Sequence, residues 1–181
     1  MENLDIKLAT SNDSPLIKKL INDMYGIEYE VRDINKISEA IENKTEIYVL
    51  AFKDDKCIGF AGASLNNDYY ADIITPDIAV IDYIYTYKNH RDINISFKLI
   101  SKLLNELVTM NVNQAIMQVQ TYNTQRFFHY SLSDKNIIKS STIEANGKKY
   151  EDQILLIKDL KKVANMPLRE LMIKTHYYYK N

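Results

Sequence analysis

The chain has 181 residues, 46% apolar and 26% charged, which suits one globular domain with a sizeable core. Lys+Arg of 23 against Asp+Glu of 24 leaves a net charge of −1, which removes the bulk electrostatic argument for a nucleic-acid or anionic-membrane partner. One cysteine, Cys57, excludes an internal disulfide framework or a thiol-built metal cluster, His90, His129 and His176 lack ligand spacing, and no run nears the ~20 apolar residues of a membrane span; a cytoplasmic protein with no metal site is expected.

In chain order, Leu4–Thr10 alternates apolar Leu4, Ile6 and Leu8 with Asp5 and Lys7 and reads as a strand. Ser11 to Pro15 then supplies cap residues and an early proline, and Leu16, Ile17, Leu20, Ile21 and Met24 form the stripe of a helix that Gly26 can close. A second helix is expected at Asp33–Asn43 with Ile34, Ile37 and Ile41 inward. A hairpin follows, Glu46–Lys53 and Cys57–Leu65 about an Asp54-Asp55-Lys56 turn, and then a polar and aromatic loop, Asn66–Thr75.

The run Ile78–Thr86 has the β-branched and aromatic composition of a central strand. Beyond a short polar loop the period changes: Phe97, Ile100, Leu103, Leu104 and Leu107 recur at helical spacing, and Ser96 is placed to cap that helix. A strand that feeds a helix through a tight loop aims backbone N–H groups and the positive end of the helix dipole at one point, a natural anion site. Gln114–Tyr122 reads as a strand, Thr124–Ser131 as a short helix, and Asn136–Ile143 and Asp152–Leu160 as strands around an Asn146-Gly147 turn. Pro167–Tyr178 is expected to be a terminal helix. The implied architecture is α/β (α+β): a single mixed, mostly antiparallel sheet of about seven strands with helices on both faces, residues 1–160 forming the domain and 161–181 a helical extension of it.

That element order and two short motifs resemble the GNAT superfamily of acyl-CoA-dependent N-acetyltransferases over roughly Leu4 to Leu160. The family's pyrophosphate loop reads Gln/Arg-x-x-Gly-x-Gly/Ala at the start of its longest helix; here Arg91-Asp92-Ile93-Asn94-Ile95-Ser96 takes that place. Arg91 matches, Asn94 stands where glycine is usual, and Ser96 is a small residue in the last slot. The second motif is an asparagine after the next strand with a tyrosine seven residues on, a spacing that Asn123 and Tyr130 keep. The resemblance implies acetyl-CoA as cofactor, its diphosphate on the loop and its amides along Ile84, Tyr85 and Thr86, with Phe127 against the pantetheine.

The resemblance further implies attack of a neutral amine on the thioester. Tyr130 is then the hydroxyl that protonates the departing thiolate, and Asp82, a carboxylate within an apolar strand, the candidate base for the amine. On composition alone both have structural readings, Tyr130 as packing in the Phe127-Phe128-His129-Tyr130 run and Asp82 as a buried, hydrogen-bonded acid. The acceptor would be an amine of a small molecule or a protein, and the Tyr, Asp and Glu of Tyr25–Arg32 and Asn66–Ala71 favour a cationic one.

Asp92 supports an alternative. A carboxylate roughly 6–8 Å from a diphosphate costs on the order of 2–3 kcal/mol at an effective dielectric near 20 unless it faces solvent. The same scaffold would then be a non-catalytic binding or regulatory module. A third reading is an interaction protein that forms a homodimer through Tyr177-Tyr178-Tyr179.

Overall fold

A computed structural model describes residues 4–26, 33–65, 78–91, 93–119, 137–145 and 148–166. Its strands are β1 (Leu4–Leu8), β2 (Glu46–Lys53), β3 (Lys56–Ser64), β4 (Ile78–Thr86), β5 (Gln114–Val119), β6 (Ile137–Ala145) and β7 (Lys148–Ile157). They form one sheet in the order β1-β2-β3-β4-β5-β7-β6. Every neighbouring pair is antiparallel except β4 and β5, which run parallel and are joined through a crossover helix.

Helices α1 (Ser14–Tyr25) and α2 (Ile34–Glu42) cover one face. Their buried Ile17, Leu20, Ile21 and Ile37 pack on Tyr48, Leu50 and Phe60 of the sheet. Helix α3 (Ile93–Thr109) and the short α4 (Leu160–Ala164) cover the other. There Phe97, Ile100, Leu103, Leu104 and Leu107 meet Val49, Ala61, Ala79, Ala115 and Leu155. The alanines of the central strands let α3 lie close to the sheet, where larger side chains would hold it off.

Local chemistry explains the element ends. Gly26 closes α1 at φ 68°, a left-handed conformation that glycine adopts without Cβ strain. The Asp33 side chain accepts from the N–H of Asn35 and caps α2. Asp54 and Asp55 turn the β2–β3 hairpin at φ 48° and 62°. Gly62 serves packing instead: a Cβ there would lie 2.6 Å from the Tyr48 ring. Its bare backbone lets Tyr48 and Phe60 stack with Tyr83 at centroid distances of 6.1 and 5.7 Å.

Three expectations need correction. Ser96 is not a helix cap, because α3 begins three residues earlier, at Ile93; Ile95, only 8% exposed, joins the core beneath the helix and draws the first turn back with it. The last strand starts at Lys148, since its register with β6 runs unbroken from Lys139↔Ile154 to Ala145↔Lys148. Leu160 opens α4 rather than ending β7: Asp159 accepts from the N–H of Lys162, a cap the strand pattern hides. The expected loop Asn66–Thr75, short helix Thr124–Ser131, Asn146-Gly147 turn and terminal helix Pro167–Tyr178 lie outside the described residues. Among those described, no helix is long and apolar enough to cross a membrane.

Candidate active site where two strands part

Strand β4 is held differently along its length. Ile78 to Ile81 pair with Gln114 to Met117 of β5 on one side, and Val80 and Ile81 also pair with Ser64 and Ala63 of β3 on the other. Past Ile81 and Met117 the ladder stops: β5 continues against β7 alone, while β4 keeps only β3. From Asp82 to Thr86 the edge of β4 turned away from β3 therefore faces no strand among the described residues. A notch opens in the middle of the sheet, lined by backbone amides that the sheet itself does not use.

A β-bulge coincides with the parting. The β3–β4 register passes from Gly62↔Tyr83 to Ala63↔Ile81, so β4 carries one extra residue, and that residue is Asp82. A bulge bends its strand and re-aims a side chain, and here it does so for the one acidic residue of β4. Asp82 is half-buried and engaged by its surroundings.

The far end of the notch meets the N-terminus of α3. Thr86 ends β4, a short 3-10 turn of Lys88 to His90 follows, and α3 starts at Ile93. The N–H groups of Ile93, Asn94 and Ile95 fall in the first turn, where no carbonyl of the same helix can take them, at the positive end of a 17-residue dipole. Asn94, which stands where glycine is usual in the resembled loop, sits in helical conformation and offers its backbone N–H from there. Exposed Arg91 is anchored beside this turn, its Nε donating to the Thr86 carbonyl at 3.3 Å.

Thr86 is 6% exposed, and among the described residues its Oγ1 has no hydrogen-bond partner. A buried orphan hydroxyl costs roughly 1–3 kcal/mol unless a ligand completes it. Ile84 packs at the border of the α3-side core, whereas Tyr85 turns to the opposite face, its ring 6.3 Å from Phe60 and 5.4 Å from Tyr87. Ile95 is in the core and Ser96 half-buried, so what Ile95 can offer an anion is its amide. The structure thus brings together Asp82, Ile84, Thr86, Arg91 and residues 93–96. Asp92, Asn123, Phe127 and Tyr130 lie outside the described residues.

A second polar group, unforeseen from sequence, borders the opposite face. The Tyr87 hydroxyl donates to Asp23 Oδ2 at 2.5 Å, and Lys19 Nζ donates to both, at 3.2 and 3.3 Å. Hydrogen bonds to Tyr87 and then Asp23 hold Lys19 above the usual lysine value; burial and then the Asp23 bond push the Tyr87 hydroxyl up. The group ties the last turn of α1 to the end of β4. The signal was there in the alternation Tyr83, Tyr85, Tyr87, which puts three rings on one face.

Unused strand amides, first-turn N–H groups and an arginine suit a ligand with amide groups at one end and a diphosphate at the other. The family model described as the Acetyltransferase (GNAT) family matches residues 15–130. No curated protein matches in sequence. Among solved structures, the Salmonella typhimurium protein yncA with its cofactor acetyl-CoA is 13% identical, with 86% of this chain and 94% of that one covered at a TM-score of 0.65. The ribosomal-protein-alanine N-acetyltransferase of Brucella melitensis is 16% identical, covering 84% and 98% at 0.64. A spermidine N-acetyltransferase chimera from Vibrio cholerae and hSSAT is 16% identical, covering 90% and 99% at 0.59. At such identities these likenesses speak for the fold.

Proposed function

The chain belongs to the GNAT acetyltransferase family, and we propose from that premise that it transfers an acetyl group from acetyl-CoA to a primary amine of a small molecule or protein. The observation that carries the proposal is the parting of β4 from β5 after Ile81 and Met117, which leaves a free edge of β4 leading toward the first turn of α3. Acetyl-CoA supplies an activated acyl thioester; the chain's residues position it and handle the protons.

In this reading the amides of Ile93, Asn94 and Ile95, with Arg91, hold the diphosphate. The free edge of β4 at Ile84, Tyr85 and Thr86 pairs with the amides of the pantetheine arm, and the Thr86 hydroxyl gains the partner it lacks. A backbone N–H on that edge also lies where charge develops on the thioester oxygen. Asp82 takes a proton from the incoming ammonium group, directly or through a water, and Tyr130 returns one to the departing sulfur. Phe127 and Asn123 complete the cofactor side. Spermidine and ribosomal-protein alanine, named for two of the similar structures, illustrate both acceptor classes.

Titration of the purified protein with acetyl-CoA by calorimetry at moderate salt tests the reading. Micromolar binding is expected; none at millimolar ligand sinks the transferase and leaves the binding module. With binding established, Tyr130→Phe is expected to lower kcat about a hundredfold with acetyl-CoA affinity nearly unchanged. Undiminished turnover would remove Tyr130 from the mechanism.

A further inference from the structure

Between the last turns of α1 and the aromatic end of β4 lies a cleft of about 640 Å3, a size suited to a small molecule or the end of a peptide. Its polar side chains fall into two sets. Asp23, Lys19 and Tyr87 satisfy one another through the three contacts already given. The Asp23 carboxylate is therefore already met by an ammonium and a hydroxyl, and has little left to offer a cationic guest. Lys18, Asn22 and Tyr85 form the other set, all half-buried on the cleft wall. Among the described residues the Lys18 ammonium, the Asn22 amide and the Tyr85 hydroxyl meet no hydrogen-bonding or ionic partner. The unused groups are thus a cation with two neutral donors, beside the edge-to-face rings of Tyr85 and Tyr87 at 5.4 Å.

A half-buried lysine on the wall of a cleft whose one carboxylate among the described lining residues, Asp23, is already met by another lysine favours a negative group. The rings give an apolar spacer a surface to lie on. Tyr85 is three residues from Asp82 along β4, a separation of about 10 Å at ~3.3 Å per residue. We propose that the acceptor is an amino acid or peptide whose reactive amine lies near Asp82 and whose carboxylate, about 10 Å away, is held by Lys18 with Asn22 and Tyr85. This rests on the transferase reading above and reverses the cationic acceptor expected from the Asp and Glu of Tyr25–Arg32 and Asn66–Ala71.

The test uses two probes of that span, 6-aminohexanoate and triglycine, each against its carboxamide, with the acetyl-CoA-loaded protein and its Lys18→Ala variant. Calorimetric affinity and acetyl transfer are read in parallel. Expected is at least a tenfold preference for a carboxylate over its carboxamide that falls within twofold in Lys18→Ala, while acetyl-CoA affinity stays constant. A preference confined to one probe identifies a free amino acid or a peptide as the source. Turnover without a carboxylate preference, a preference that survives Lys18→Ala, or no binding of either carboxylate overturns the inference and leaves the transferase standing. Carboxylate-selective binding that Lys18→Ala abolishes, with no transfer to any probe, overturns the transferase and the acceptor role with it.

Discussion

The two halves of β4 show how one strand serves two purposes. Ile78 to Ile81 are aliphatic and buried, all paired with β5 and the last two with β3 as well; Asp82 to Tyr85 are polar, aromatic or half-buried, and past the bulged Asp82 they pair with β3 alone. The first half ties the antiparallel meander to the parallel crossover and carries the core. The second gives up a ladder of hydrogen bonds and leaves Thr86 with an orphan hydroxyl. Stability and ligand recognition are therefore separated by a single residue step, at the bulge, and substitutions on either side of it are expected to separate them too.

The largest expected effect lies in the doubly held half. Ile81→Ala removes a side chain that is 5% exposed beneath α3 and should cost about 2–5 kcal/mol, read as a lower denaturant midpoint. A cost below about 1 kcal/mol would mean that this half is no more structural than the other. Next is Gly62→Ala, which drives a methyl into the Tyr48 ring across from the bulge; about 1–3 kcal/mol of overpacking is expected. A neutral result would show that the aromatic stack can slide.

In the open half the signs differ. Thr86→Val keeps the shape and deletes the orphan hydroxyl, so the free protein should gain about 1 kcal/mol while acetyl-CoA binds about tenfold more weakly. Loss of both stability and affinity would mean the hydroxyl is satisfied within the fold. The smallest effect is expected for Tyr87→Phe, which cuts the contacts to Asp23 and Lys19 at the exposed end and should cost under about 1 kcal/mol at pH 7.

The same group has a signed pH dependence. Lys19 and Tyr87 both bind their protons more tightly folded than unfolded. Their contribution is complete below the unfolded values of 10.0 and 10.5 and declines as pH rises through the higher folded ones. Wild type and Tyr87→Phe should therefore differ in stability by a constant amount from neutral pH to about 9 and converge above 10.5. A difference that grows with alkalinity would reverse the assignment.

Much of the fold was legible because its signals are local. The period-two alternation of β1, the stripe Ile17, Leu20, Ile21, the Gly26 stop and the run Ile78–Thr86 each depend on residues within a few positions of one another. Such patterns survive as written wherever packing agrees with them. Ser96 and Leu160 misled for the same reason: a hydroxyl suggested a cap and a leucine prolonged a strand, until burial of Ile95 and the Asp159 cap decided otherwise. Within the site, Asp82 and the stretch from Arg91 to Ser96 could be named as residue types in order, whereas Lys18, Asn22 and Asp23 carry only an ordinary helical pattern.

Amino-acid order alone determined where most strands and helices lie and that a tight turn into a helix follows the central strand, though Leu8 and Ile34, expected inward, are exposed. Only the tertiary structure decided where β5 leaves β4, that Asp82 is the bulged residue, and that Tyr87 meets Asp23 across 64 positions. No nearby residue encodes the point at which a ladder stops. It is set when distant elements close on one core, and the strand that cannot follow both neighbours lets go of one.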